Sequence, residues 1–75
     1  MKQREAHRLV GLCERHGIAY RFNGHDPWHS SRWIVPTGPG RFIAWSTKGN
    51  GRDRRTPDDY RVALVRAFNL PTDAR

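Results

Sequence analysis

Between residues 3 and 16 the apolar side chains of Ala6, Leu9, Val10 and Cys13 recur at i, i+3, i+4 and i+7, the spacing of one helical stripe. The pattern predicts a helix over about 3–16, and Gly17 is placed to end it. The period then changes. In IAYRF, at 18–22, Ile18, Tyr20 and Phe22 alternate with Ala19 and Arg21, as in a half-buried strand. RWIV at 32–35 and RFIAWS at 41–46 are rich in β-formers and are joined by PTGPG, which suits a tight antiparallel connection. Two registers remain open for this hairpin. Either Trp33, Val35, Phe42 and Ala44 face the core, with Arg21, Arg32 and Arg41 on the other side beside Ile34, Ile43 and Trp45, or that second apolar set is buried instead.

TKGNGRDRR, at 47–55, has no apolar periodicity and reads as a basic loop. TPDDY then supplies a helix start: Thr56 as N-cap, Pro57 in the first helical position, and Asp58 and Asp59 where the helix dipole favours anions. Tyr60, Ala63, Leu64, Ala67 and Phe68 form the apolar face of a helix over about 57–69, which ends before Pro71. The predicted order is α-β-β-β-α. It implies one α+β domain spanning 1–75, a three-stranded antiparallel sheet with two helices packed on one face.

Charge changes the picture more than length does. The 75 residues carry 14 Lys plus Arg against 7 Asp plus Glu, a formal net charge of +7. All the basic residues except Lys2 and Lys48 are arginine, which suits bidentate contact with phosphate. Such an excess attracts polyanions. Arg4, Arg8 and Arg15 fall on a second stripe of the first helix, almost opposite the apolar one, with Gly11 inside it. So small a chain leaves no room for a large enclosed active site. A single cysteine, Cys13, forms no internal disulfide, and no apolar run approaches a membrane span. A soluble, cytoplasmic protein with no membrane contact is the expectation, and no cofactor is expected.

With the element order in view, HG-I-AYRF, PTGPGRFIAWS and GNGRDRRTPDDYRVALVRAFNL resemble the double-stranded-RNA-binding-like fold over residues 5–70. Within it they resemble the HicA-type toxins of bacterial toxin-antitoxin systems. The resemblance implies a metal-independent ribonuclease whose partner antitoxin covers the site. Those toxins carry a Gly-Ser/Thr-His motif where the second strand starts, and this chain has GHDPWHSS there. His25 and His29 are both candidates for the family histidine, and His29 fits the strand order better.

The dozen residues FNGHDPWHSSRW at 22–33 concentrate the reactive side chains. Histidine is the residue poised near neutral pH to act as a general base on a ribose 2′-hydroxyl, and Arg32 or Arg41 would stabilise the developing charge. The plainer alternative is that His25 and Asp26 form a turn, with Asx chemistry before Pro27, while His29 is merely solvated. Cys13, His16, His25 and His29 also read as C-x2-H…H-x3-H, four groups able to close a zinc site. Against that, Cys13 sits on the apolar stripe while His16 lies about 60° round the helix, so no metal is assigned.

Three functions follow as expectations. The first is a nucleic-acid-binding module that contacts DNA or RNA through Arg4, Arg8, Arg15, Arg21, Arg32, Arg41, Lys48, Arg52, Arg54 and Arg55, with Trp28, Trp33, Trp45 and Tyr20 as stacking surfaces. The second is a HicA-like ribonuclease centred on His29. The third is an interaction protein, such as a phage-encoded host-interaction factor or a toxin relative that has lost activity, that docks on a host protein through an exposed Trp45 and Ile43 patch.

Overall fold

A computed structural model describes residues 1–48 and 54–71. Its elements follow the expected order. Helix α1 spans Gln3–Arg15, and strands β1, β2 and β3 span Arg21–Phe22, Arg32–Gly38 and Arg41–Ser46. A 3-10 turn at Pro27–His29 lies between β1 and β2, and helix α2 spans Pro57–Phe68. The chain is of the α+β class, with an antiparallel sheet in the order β1-β2-β3. The expected contact at Arg52 lies outside the described residues.

Both helices have the ends their sequences imply. In α1 the Ile18 N–H reaches the Cys13 carbonyl at 2.8 Å and the Gly17 N–H reaches that of Glu14, with Gly17 at φ 65°. This is the paired bonding that uses up the last carbonyls of a helix and needs a left-handed residue. Asn69 performs the same task for α2, at φ 51°, with the Leu70 N–H on the Val65 carbonyl. At the start of α2, Thr56 Oγ1 accepts from the Asp59 N–H and Asp59 Oδ2 accepts from the Thr56 N–H, a reciprocal capping box. Of the expected apolar face, Tyr60 and Leu64 are buried, but Ala67 lies in solvent.

Strand β1 is shorter than the alternation over 18–22 predicts. Its register sets Arg21 opposite Ile34 and Phe22 opposite Trp33, so a longer ladder would bring Ala19 opposite Pro36. Proline has no N–H to contribute there. Ile18 is buried nonetheless, as an extension of the core rather than as a paired strand residue.

The hairpin corrects both registers left open above. Trp33 pairs with Trp45 and Val35 with Ile43 on the helix-covered face, while Arg32, Ile34 and Pro36 pair with Ser46, Ala44 and Phe42 on the other. Each strand therefore follows a different alternative. The cause is one residue. Gly38 pairs with Arg41 across the Pro39-Gly40 turn, but the next pair is Pro36 with Phe42, leaving Thr37 as a bulge in β2. Without the bulge the turn's register would carry Ala44 and Phe42 inward, and with it every β3 side chain changes face.

The core is one cluster. Trp33, Val35, Trp45 and Ile18 meet Ala6, Leu9, Val10, Leu12 and Cys13 of α1 and Tyr60 and Leu64 of α2. Trp33 and Trp45 stack with centroids 6.4 Å apart. Trp45 is 2 % exposed, so the patch expected of Trp45 and Ile43 does not exist, and neither sheet tryptophan offers a stacking surface. Phe42, placed inward in one of the two registers, is 63 % exposed.

Candidate functional site

The segment between β1 and β2 is closed by its own side chains. Asn23 Oδ1 accepts from the backbone N–H groups of Ser31 and Arg32 at 3.0 and 3.1 Å, and Asn23 Nδ2 donates to Ser31 Oγ. Further in, Ser30 Oγ accepts from the Gly24 N–H and donates to the Asp26 carbonyl at 2.7 Å. Ser30 is the buried polar residue of the protein among those described. The crossing is tight enough to require glycine at position 24, where a Cβ would fall 2.7 Å from Ser30 Oγ and 2.9 Å from the His29 carbonyl.

Asp26 organises the tip. Its Oδ1 accepts from the Trp28 and His29 N–H groups at 2.8 and 3.0 Å, which caps the 3-10 turn begun by Pro27. That turn brings residues i and i+3 together, and Asp26 Oδ2 meets His29 Nδ1 at 2.7 Å. The His29 hydrogen bond, followed by the two backbone amides, holds the Asp26 carboxyl below its usual range. A carboxylate only accepts, so Nδ1 carries the proton and the neutral ring keeps its lone pair on Nε2. With the His29 side chain 80 % exposed, that nitrogen is accessible. A carboxylate-oriented imidazole of this kind is suited to taking a proton from a substrate hydroxyl.

The turn expected before Pro27 is present in FNGHDPWHSSRW, but His29 is held by Asp26 and not only by solvent. Asp26 does act on the backbone before Pro27, and the same carboxylate orients His29. Asp26 is a site residue that the candidates above do not include, although Asp-Pro is an N-cap signal that places a side chain three residues on beside it. His25 is exposed and makes no hydrogen bond or ion pair among the described residues.

The tip is docked on α1. Trp33 Nε1 donates to the Pro27 carbonyl at 3.1 Å and Gln3 Nε2 to that of Trp28, while the His7 ring stands edge-on to Trp28 at 5.1 Å and to Trp33 at 6.1 Å. His7, with its Nε2 buried and unpartnered, is a contact that nothing in the local sequence signals. Trp28 remains 42 % exposed.

The expected basic residues are divided among several surfaces. Arg4, Arg8 and Arg15 are exposed on α1, and Arg8 and Arg15 border a groove of about 870 Å³ that runs over Gly11 to Pro57, Asp58 and Arg61 at the start of α2. Arg61 is tied to Asp58 at 2.8 Å. Arg21 and Arg32 stand on the open face of the sheet, Arg41 at the hairpin, and Lys48, Arg54 and Arg55 in solvent before α2, with the Arg55 guanidinium 5.9 Å from the Tyr60 ring centroid.

The four groups read as a zinc pattern are not gathered. Cys13 is fully buried, and its burial pushes the thiol up to about 11, whereas His16, His25 and His29 are exposed. Among the described residues no three metal-ligating side chains cluster. No helix among them is long and apolar enough to cross a membrane. Compared with known protein families, with curated proteins and with solved structures, the chain matches none.

Proposed function

We propose that this protein binds nucleic acid through its phosphate backbone. The observation that carries the reading is a set of cations without partners. Arg4, Arg8, Arg21, Arg32 and Arg41 are all exposed, and none makes an ion pair among the described residues. Unpaired arginines on a chain of net charge +7 repel one another, and a polyanion relieves that repulsion while releasing its own counterions. The protein acts in the cytoplasm on DNA or RNA. A gel-shift series over increasing salt tests this: log affinity falls linearly with log salt, and sequence preference is slight. Salt-independent binding, or none, defeats it.

A second reading has its own observation, the Asp26-oriented His29. Together with the resemblance to HicA-type toxins it supports a metal-independent ribonuclease in which His29 Nε2 takes the proton of a ribose 2′-hydroxyl, with an antitoxin or host protein as partner. End-labelled RNA incubated in chelator distinguishes the two. Cleavage that His29→Ala abolishes and Asp26→Asn weakens, with binding retained in both, establishes the enzyme. Intact RNA with all three proteins leaves binding as the function.

A further inference from the structure

The helices cover one face of the sheet and leave the other open. Arg21 and Ile34 pair there across β1 and β2, and Arg32, Ile34 and Pro36 pair with Ser46, Ala44 and Phe42 across β2 and β3. None of these residues is acidic. The apolar centre is half-covered Ile34 and Ala44, Phe42 stands at one end with 63 % exposure, Arg32 stands at the other and Arg21 flanks Ile34 on the β1 edge, both arginines exposed and free of ion pairs among the described residues. Neighbouring strands are about 4.8 Å apart and same-face residues along a strand about 6.8 Å. Arg21, Arg32 and Phe42 thus share one extended surface.

Phe42 is the most exposed large apolar side chain among the described residues, and a ring so placed on a face with two arginines offers a planar partner a stacking surface beside positive charge. A second copy of the chain is disfavoured, because two such faces would gather four arginines in one interface with no acidic side chain on either face to pair them, on chains that each carry +7. A duplex presents its bases as stacked edges and offers no free face to Phe42. A single strand offers both things this surface can hold, an unstacked base and a flexible chain of phosphates.

We infer that the open face of the sheet is a platform for single-stranded nucleic acid, in which a base stacks on Phe42 while Arg21 and Arg32 hold adjoining phosphates. The inference rests on the nucleic-acid reading above and names its ligand class and surface. Phe22 and Trp28, the other exposed large apolar residues, lie off this face.

The test is fluorescence anisotropy of labelled oligo(dT), oligo(U) and a blunt duplex, titrated with the wild type, Phe42→Ala, Phe42→Leu, Phe42→Trp and the double variant Arg21→Ala/Arg32→Ala. Near-UV circular dichroism from the Trp33–Trp45 pair verifies that each is folded. Phe42→Ala and Phe42→Leu are expected to weaken single-strand binding roughly 5- to 150-fold, with the duplex little affected, and Phe42→Trp to retain it. Leucine preserves an apolar cover but has no ring, so a loss in both variants is a loss of stacking. The double arginine variant should lower the salt slope on single strands by about 1.4. Comparable affinity for oligo(dT) and oligo(U) identifies the strand, and preference for oligo(U) identifies RNA. Wild-type binding that none of these substitutions alters overturns the platform and leaves the nucleic-acid reading standing, as does an equal loss on duplex and single strand. No binding by the wild type to any of the three probes overturns both.

Discussion

On the helix-covered face of the sheet, Trp33 and Trp45 stack within a cluster that is apolar except for the Tyr60 hydroxyl and the His7 ring at its margin. A few residues upstream, the loop over 23–31 buries only Ser30, and it is shaped by side chain to backbone hydrogen bonds from Asn23, Asp26 and Ser30. The first region is held by the removal of apolar area from water, which tolerates small shifts of position. The second is held by directional bonds of about 2.7–3.1 Å, which fix atoms relative to one another but stay wet. A chain too small for a deep pocket can still orient a reactive group in this way, with a hydrogen-bonded loop seated on a packed wall. Trp33 joins the two regions, since its ring lies in the core and its Nε1 holds the Pro27 carbonyl.

Breaking that joint should have the largest effect. Trp33→Ala removes a buried ring and leaves the Pro27 carbonyl unpaired, with an expected cost of about 3–5 kcal/mol in urea unfolding, enough to unfold so small a domain. Gly24→Ala strikes the loop alone. The new methyl meets the His29 carbonyl and Ser30 Oγ, and a cost of about 1–3 kcal/mol is expected together with a shifted His29 Cα resonance. A loss confined to the loop, with the tryptophan circular dichroism intact, would sharpen the division between the regions.

Asp26 separates them by pH. Its carboxyl is depressed in the folded protein, so its stabilising effect is present above its unfolded value and is lost as pH falls through the lower folded one. The wild type should therefore lose stability below about pH 4 more steeply than Asp26→Asn, as read from thermal melts across that range. Parallel curves would mean that the Asp26–His29 bond contributes nothing to folding. Phe42→Ala should do least of all. Removing a ring that is 63 % exposed is expected to change stability by less than about 0.5 kcal/mol, although Trp45→Ala across the sheet would be severe. A large destabilisation by Phe42→Ala would show that the outer face is structural and not a ligand surface.

Both helices were legible in the sequence because everything that makes them is local. The stripe of Ala6, Leu9, Val10 and Cys13 and the Thr56-Pro57 start act within a few residues of themselves, and so do the stops at Gly17 and Asn69. The order α-β-β-β-α followed from these and from the change of period. The 3-10 turn was also encoded locally, by Asp26 before Pro27, but its consequence for His29 appears only when the backbone closes and i meets i+3. Tertiary structure alone decided which face of β3 is buried, because a single bulged residue, Thr37, reverses it and alternation along a strand looks the same from either side. It also decided that Trp45 belongs to the core and Phe42 to solvent, and that Trp28 packs on His7, a contact between residues distant in the chain. The local code set the order of the elements and the ends of the helices, while the length of β1 and the faces the strands present depend on pairings that no short window of sequence contains.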